Sequence, residues 1–343
     1  VIHQNLDSLT SFPQKQNQSR NKLKKKARKM AVTLDLEAVT AAISGMGVDE
    51  QALISTLGNS HKDHRKLFRK ASKNFFVEDE ERAFEKCDDN FLRHLKLEFS
   101  RFNNAVVMWA MHPWERDARL VKKALKKGAE CYNLIVEVSC TRSSEDLLGA
   151  RKAYHSLFDQ SMEEDIASHV HGSHRKLLVG LVSAYRYEGN KVKEDSAKSD
   201  AKILAEAVAS SEEGVVEKDE VVRILSTRSK LHLQHVYKHF NQIKGSDLLG
   251  GGVSQSSLLN EALLCLLKPS LYFSKILNAS LNKEADKGTK KWLTRVVVTR
   301  ADQVEMKEIA EEYNQLYGET LAQNIQEKIK GNYRDFLLTL LSK

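Results

Sequence analysis

Three histidines, His232, His235 and His239, fall at i, i+3 and i+7 on one helical face, and the 235/239 pair could in principle hold a transition metal. No third ligand type is evident nearby, and histidines on helix surfaces are common, so the cluster reads as a solvated face. His169, His171 and His174 cluster similarly and take the same reading. Cys87, Cys131, Cys140 and Cys265 show no CxxC spacing and are too few to staple a chain of 343 residues. They read as mostly buried thiols of a reduced intracellular protein. Gly245 and Gly250 have the spacing of a phosphate-binding loop, but Gly251 follows where Lys-Ser/Thr is needed. There is no nucleophile–base signature and no HExxH, so the expected answer to catalysis is no.

Charge narrows the partners. Lys plus Arg number 54 and Asp plus Glu 46, a formal net of +8. Residues 1–30 hold Lys15, Arg20, Lys22, Lys24, Lys25, Lys26, Arg28 and Lys29 against the single acid Asp7, which leaves 46 basic against 45 acidic residues in the rest. A nucleic-acid-binding domain would carry its charge on the folded body, so nucleic acid is not an expected partner. Residues 1–30, rich in Gln, Asn, Ser and Lys, read as a disordered basic leader. The run Lys22–Lys29 reads as a localisation signal, a patch for anionic lipid or an accidental extension before Met30. No apolar run approaches the roughly 20 residues of a spanning helix.

The elements that must position any site are helical. Only three prolines occur, against 41% hydrophobic and 29% charged residues dominated by helix formers. Leu258, Leu259, Ala262, Leu263, Leu266 and Leu267 recur at helical spacing, as do Ile325, Ile329, Phe336, Leu337, Leu340 and Leu341. Pro113 and Pro269 each follow an apolar run where a helix should stop. No stretch shows sustained strand-type alternation, so the body is predicted to be all-α.

It also repeats. Ile135-Val136-Glu137-Val138-Ser139-Cys140-Thr141-Arg142 resembles Val221-Val222-Arg223-Ile224-Leu225-Ser226-Thr227-Arg228 and Leu293-Thr294-Arg295-Val296-Val297-Val298-Thr299-Arg300. A fainter copy, Leu53 to Ser60, ends with Ser60 in the place of the arginine. The markers lie 82, 86 and 72 residues apart, which suits four units of about five short helices each. The units are set at 31–111, 112–192, 193–268 and 269–343.

At this point a family is recognisable. Gly45-Met46-Gly47-Val48-Asp49-Glu50 followed by Leu53-Ile54 resembles the calcium-loop signature of annexins, with Val48 in place of Thr. Trp114-Glu115-Arg116-Asp117-Ala118, Arg151-x-Ala153-Tyr154, Glu163 to Ala167, Arg175 to Leu178 and Tyr185-Arg186-Tyr187-Glu188-Gly189 are similar to the second annexin repeat and its exit, in plant style. The resemblance implies a curved all-α disc of four repeats that docks on anionic phospholipid through calcium held in loops on its convex face.

Calcium wants six to eight oxygens, often including a bidentate carboxylate. The family pattern places carbonyl ligands at Ile43, Gly45 and Gly47 and the closing acid at Glu98, with Val48 and Glu50 as secondary candidates. The stretch between Gly47 and Glu98 is longer than the family norm, with Glu78–Cys87 as the insertion, so the register of the acid is open. Met46 takes the position from which annexins push an apolar side chain toward the bilayer.

The other loops look degenerate. In the second repeat Lys126-Lys127-Gly128-Ala129-Glu130 faces His169 in the acid's place. In the third, Glu213-Gly214-Val215-Val216-Glu217 has lost the paired glycines. In the fourth, Gly288-Thr289 is out of register and Lys328 replaces the carboxylate. Calcium dependence weaker than the family norm follows.

Asp117, Glu137, Arg142 and Arg300 match annexin positions lining a hydrophilic central passage, and read as an ion path or as a buried salt-bridge network between two halves. Cys140 and Cys265 match positions proposed as redox-sensitive in plant annexins, with buried and inert thiols as the other reading. Val222-Arg223-Ile224 resembles a short actin-binding triplet of the family, a weak match. The expected protein is a cytoplasmic, calcium-dependent binder of anionic phospholipid membranes acting in stress or calcium signalling and membrane organisation, with itself or another annexin as further partners. The alternatives are a calcium-independent membrane or cytoskeletal scaffold and a cation-conducting membrane-associated protein.

Overall fold

The computed structural model describes residues 37–39, 49–89, 92, 101–210, 218–245, 247–249 and 258–343. Every long element is a helix. In the first quarter these are α1 (Glu50–Leu53), running on as a π-helical turn over Ile54–Gly58, α2 (Lys62–Ala71) and α3 (Arg101–Ala110). Five follow: α4 (Pro113–Lys127), α5 (Asn133–Thr141), α6 (Ser144–Phe158), α7 (Met162–His169) and α8 (His174–Val182). The third quarter holds α9 (Glu194–Ser210), α10 (Asp219–Thr227), α11 (Lys230–Lys244) and α12 (Leu258–Leu267). The last five are α13 (Pro269–Leu281), α14 (Lys287–Arg300), α15 (Glu305–Tyr317), α16 (Leu321–Lys328) and α17 (Gly331–Leu341).

The boundaries follow from local chemistry. Pro113 and Pro269 both sit in the first turn of a helix, where the missing N–H costs nothing and the fixed φ is already helical. Ser143, Ser161 and Ser229 cap α6, α7 and α11 by accepting a backbone N–H three residues on. Thr320 and Gln323 form a reciprocal capping box on α16. Gly245 and Gly318 close α11 and α15 in the left-handed conformation, at φ 64° and 71°.

Packing turns these helices into a disc with two modules. In each of the last three repeats the first and third helices pack together: α4 on α6, α9 on α11, α13 on α15. Between repeats the pairing is reciprocal. In one module α5 packs on α12 and α8 on α10, so that repeats two and three exchange second and fifth helices. In the other, α14 packs on α3 and α17 on the π-helical turn, the same exchange between repeats four and one. The second helices are buried nearly all round, as in α5, where every residue from Leu134 to Thr141 is buried.

One element departs from the helical expectation. Phe76–Asp79 (β1) and Phe84–Cys87 (β2) form an antiparallel hairpin with Phe76 opposite Cys87 and Asp79 opposite Phe84. It occupies the segment the sequence marks as an insertion. Its inward residues, Phe76, Phe84 and Cys87, are buried, and its turn reaches the left-handed region at Ala83, φ 57°.

Candidate functional site

The first-repeat calcium candidates Ile43, Gly45, Met46, Gly47, Val48 and Glu98 lie outside the described residues, as does the third-repeat loop Glu213–Glu217. The exit of the first loop is described. Asp49 caps α1, its Oδ1 accepting from Ala52 N at 3.0 Å, so this aspartate fixes how the chain leaves the loop. Glu50 accepts through Oε2 from Asn332 Nδ2 at 2.8 Å, and Gln51 donates to Asn332 Oδ1 at 2.6 Å. Two side chains after the loop are thereby clipped to the first turn of α17.

The second-repeat loop carries two lysines, and part of the fourth-repeat loop is already engaged within the chain. Gly128 closes α4 at φ 86°, between the ammonium groups of Lys126 and Lys127 and the short turn Ala129–Cys131. His169 lies at the end of α7 with its Nδ1 against Asp165 O at 2.9 Å. In the fourth repeat, Asp286 accepts from Gly288 N at 2.5 Å, Thr289 N at 3.1 Å and Thr289 Oγ1 at 2.5 Å. These bonds hold its carboxyl below the usual carboxylate range. Lys290 donates its ammonium to Lys283 O at 2.8 Å, so a cation of the chain already sits on a loop carbonyl. Lys328 is exposed at the end of α16. Among the described residues no group of three or more His, Cys, Asp and Glu side chains could hold a metal ion.

The histidine face of α11 has a partner the sequence does not reveal. Glu194, from α9, accepts His235 Nδ1 at 2.8 Å and His239 Nε2 at 2.6 Å on separate carboxylate oxygens. Buried His232 goes instead to Asp200 at 2.9 Å. In the triplet Val222-Arg223-Ile224 the two aliphatic residues are buried and Arg223 is held by Glu220 and Asp200.

The polar centre is built by the C-terminal arginines of the second helices. Arg142 Nε and Nη2 donate to the two oxygens of Asp117 at 2.6 and 2.7 Å, both side chains buried. Arg228 makes the equivalent fork to Asp200 at 2.7 and 3.3 Å, and Arg300 pairs with Glu305 at 2.9 Å. Burial alone would push Asp117 up, but Arg142 beside it holds the carboxyl below its ordinary range. Where Ser60 replaces the arginine, α2 supplies a substitute: Arg65 donates to Ser60 O at 2.8 Å and pairs with Asp302. Glu137, fully buried, meets Arg295 at 2.9 Å across the two modules. No sequence motif assigns Arg295 a role, yet it stands at the position of Glu137 in the aligned octets.

Cys140 and Cys265 are both fully buried, on the packed helices α5 and α12. Burial pushes both thiols up, which suppresses the thiolate that oxidation requires.

A four-repeat helical disc, each of its two modules built by helices exchanged between a pair of repeats around a charged centre, is a defined class of architecture. The annexin family model matches residues 116–181 and 273–340. Annexin D4 of Arabidopsis thaliana is 86% identical over 318 residues, spanning 92% of this chain and 99% of that protein. The annexin-like protein RJ4 of Fragaria ananassa is 38% identical, spanning 90% of this chain and 95% of its own length. The solved structure of annexin III superposes with a TM-score of 0.75 at 27% identity, covering 91% of this chain and 94% of that one. The chain belongs to the annexin family, and within it to the plant annexins.

Proposed function

We propose that this chain binds anionic phospholipid surfaces in a calcium-dependent manner through one site, in the first repeat. The observation that carries the reading is the Gly45-Met46-Gly47-Val48-Asp49-Glu50 sequence in a chain whose body is an annexin. Carbonyls of Ile43, Gly45 and Gly47 and the carboxylate of Glu98 would hold the ion, and Val48 and Glu50 stand beside them as secondary candidates. Bound there, calcium supplies vacant positions that lipid phosphate can fill. Met46 then enters the outer edge of the bilayer. The engagement of Asp49 as a helix cap supports this division of labour, because it leaves the ligand role to backbone oxygens and a distant acid.

The second and fourth repeats contribute no ion. In both, cationic side chains stand at the loop, and in the fourth the carboxylate at the helix start, Asp286, is engaged by its own helix. A chain that depends on one site should respond weakly to calcium. Peripheral recruitment from the cytoplasm in stress or calcium signalling follows as the role, with no catalytic step.

The central charges act in this reading as a structural seam. The Glu137–Arg295 pair supports it across the modules, while the Asp117–Arg142 fork, contrary to the expectation of a bridge between halves, ties two helices of the second repeat to each other. Redox control through Cys140 and Cys265 has no comparable support, since neither thiol reaches solvent.

The test is liposome co-sedimentation across a calcium titration. Glu98→Gln should require at least tenfold more calcium for half-maximal pelleting, with an unchanged melting temperature. Met46→Asp should weaken pelleting but leave lipid-free calcium binding intact. If Glu98→Gln pellets at the parent's calcium concentration, or if the parent pellets equally in chelator, the one-site reading fails. The calcium-independent scaffold then replaces it.

A further inference from the structure

The centre of the disc holds an open cavity of about 800 Å³ between the two modules, a size usual for small-molecule sites. Its walls hold several arginines, and most have a carboxylate of their own. Arg65 has Asp302, Arg69 has Glu85, Arg142 has Asp117 and Arg300 has Glu305. Arg116 does not. It is 8% exposed, and its Nη1 reaches only two backbone oxygens at the limit of hydrogen bonding, Met108 O at 3.5 Å and Val298 O at 3.4 Å. Its Nε has no partner. The adjacent Asp117 has both oxygens on Arg142. Two further cations of the same wall, Arg186 and Lys230, make no ion pair among the described residues. Arg186 donates only to the carbonyls of Arg228 and Leu225, at 2.7 and 2.5 Å.

A buried guanidinium that must share its nearest carboxylate, Asp117, with the hydrogen-bonded Arg142 is under-compensated, and a cation path through this point would meet it head on. Its planar fork of N–H donors matches the oxygens of a phosphate group in pairs. We infer that the central cavity is an anion site, in which Arg116, supported by Arg186 and Lys230, binds a phosphate group, either free or carried by a small monoester. More than one cation without a direct ion pair of its own favours a doubly charged group over a monovalent one. The Arg116 guanidinium is pulled down to about 9 by burial, against the attraction of Asp117 and with the help of neighbouring arginines; it keeps its proton at neutral pH, and an anion beside it would raise that value. Nothing in this site involves the calcium loop.

The experiment is calorimetric titration of the full chain, in chelator and at constant ionic strength, with inorganic phosphate in one arm and glycerol phosphate in the other. The parent should bind one equivalent, and the arm with the tighter binding identifies the source of the phosphate. Arg116→Met should weaken binding at least tenfold. It should melt no lower than the parent in phosphate-free buffer, because it removes a buried charge that has no ion pair of its own and only two hydrogen bonds at the limit of length. Arg116→Lys keeps the charge but loses the fork and should fall between them. Calcium-driven liposome pelleting should be the same for all three, which separates this site from the membrane site. The inference is overturned if the parent binds neither ligand, or if Arg116→Met binds phosphate as the parent does. It is overturned equally if Arg116→Met cannot be obtained folded and Arg116→Lys binds as the parent does, since the fork would then contribute nothing.

Discussion

Asp117→Asn should be among the most damaging single-atom changes available to this protein. Asparagine keeps the shape of the side chain but replaces one acceptor oxygen with a donor amide. Arg142 now spans both Asp117 oxygens at 2.6 and 2.7 Å, and the two side chains are 8% and 2% exposed. After the change one N–H of the fork faces another donor, and the guanidinium loses its counter-charge while Arg116 and Arg300 remain close enough to repel it. Breaking a buried pair from one side costs about 3–5 kcal/mol. With an unfolding entropy of ~2.1 cal/mol/K per residue over ~300 ordered residues, that is a fall in melting temperature of about 5–8 °C for a single transition. Scanning calorimetry reads this directly. The double variant Asp117→Leu/Arg142→Met should recover most of the loss, because an apolar pair of similar volume leaves no charge behind. A loss under about 1 kcal/mol for Asp117→Asn, or a double variant worse than the single one, would refute the claim that the fork anchors the second repeat.

Two further outcomes follow from the same contacts. His112 caps α4 by accepting Trp114 N on Nδ1 at 3.3 Å, and burial, then repulsion from Arg69 and Arg116, pulls its imidazole down to about 3. The unfolded histidine titrates near 6.5, so stability is fully present above that value and falls by up to about 1.4 kcal/mol per pH unit as pH drops toward 3. In His112→Asn the cap is retained and this slope should disappear from denaturation curves between pH 6.5 and 5. Gly149 of α6 lies flat against the Trp114 ring, where an added Cβ would meet ring carbons at 2.1 and 2.2 Å. Gly149→Ala should therefore destabilise by about 1–3 kcal/mol in urea unfolding, although alanine favours a helix elsewhere.

Much of this molecule can be read in the aligned octets. Their buried aliphatic positions give the second helices and their terminal arginines the forks to Asp117 and Asp200, but their third position does not reveal the bridge between modules: Glu137 meets Arg295, while Arg223 at the same place pairs within its own repeat. Ser60 marks where the pattern fails, but its replacement by Arg65 comes from the next helix and has no signature in the octet. The hairpin is visible only as extra length. Its strands are four residues each, too short for alternation to stand out, and Ala83 takes a left-handed turn that sequence reasoning reserves for Gly or Asn. Arg116 sits in a motif that identifies the repeat, yet its lack of a carboxylate depends on the register of Asp117 toward Arg142. Spacing alone does not show which of two adjacent charges is spoken for.

The hairpin changes the connectivity of the whole disc. Arg82 Nη2 meets His155 Nδ1 at 3.0 Å, Asp79 takes the Ser156 hydroxyl, and Cys87 N donates to buried Glu115 at 2.8 Å. The first repeat is thus bonded to the second as well as helix-paired to the fourth. Besides the Glu137–Arg295 pair at the centre, the two modules thus acquire a latch along one edge. A latch of this kind keeps the two modules at high effective concentration, so that a seam which opens re-docks intramolecularly before either module diffuses away.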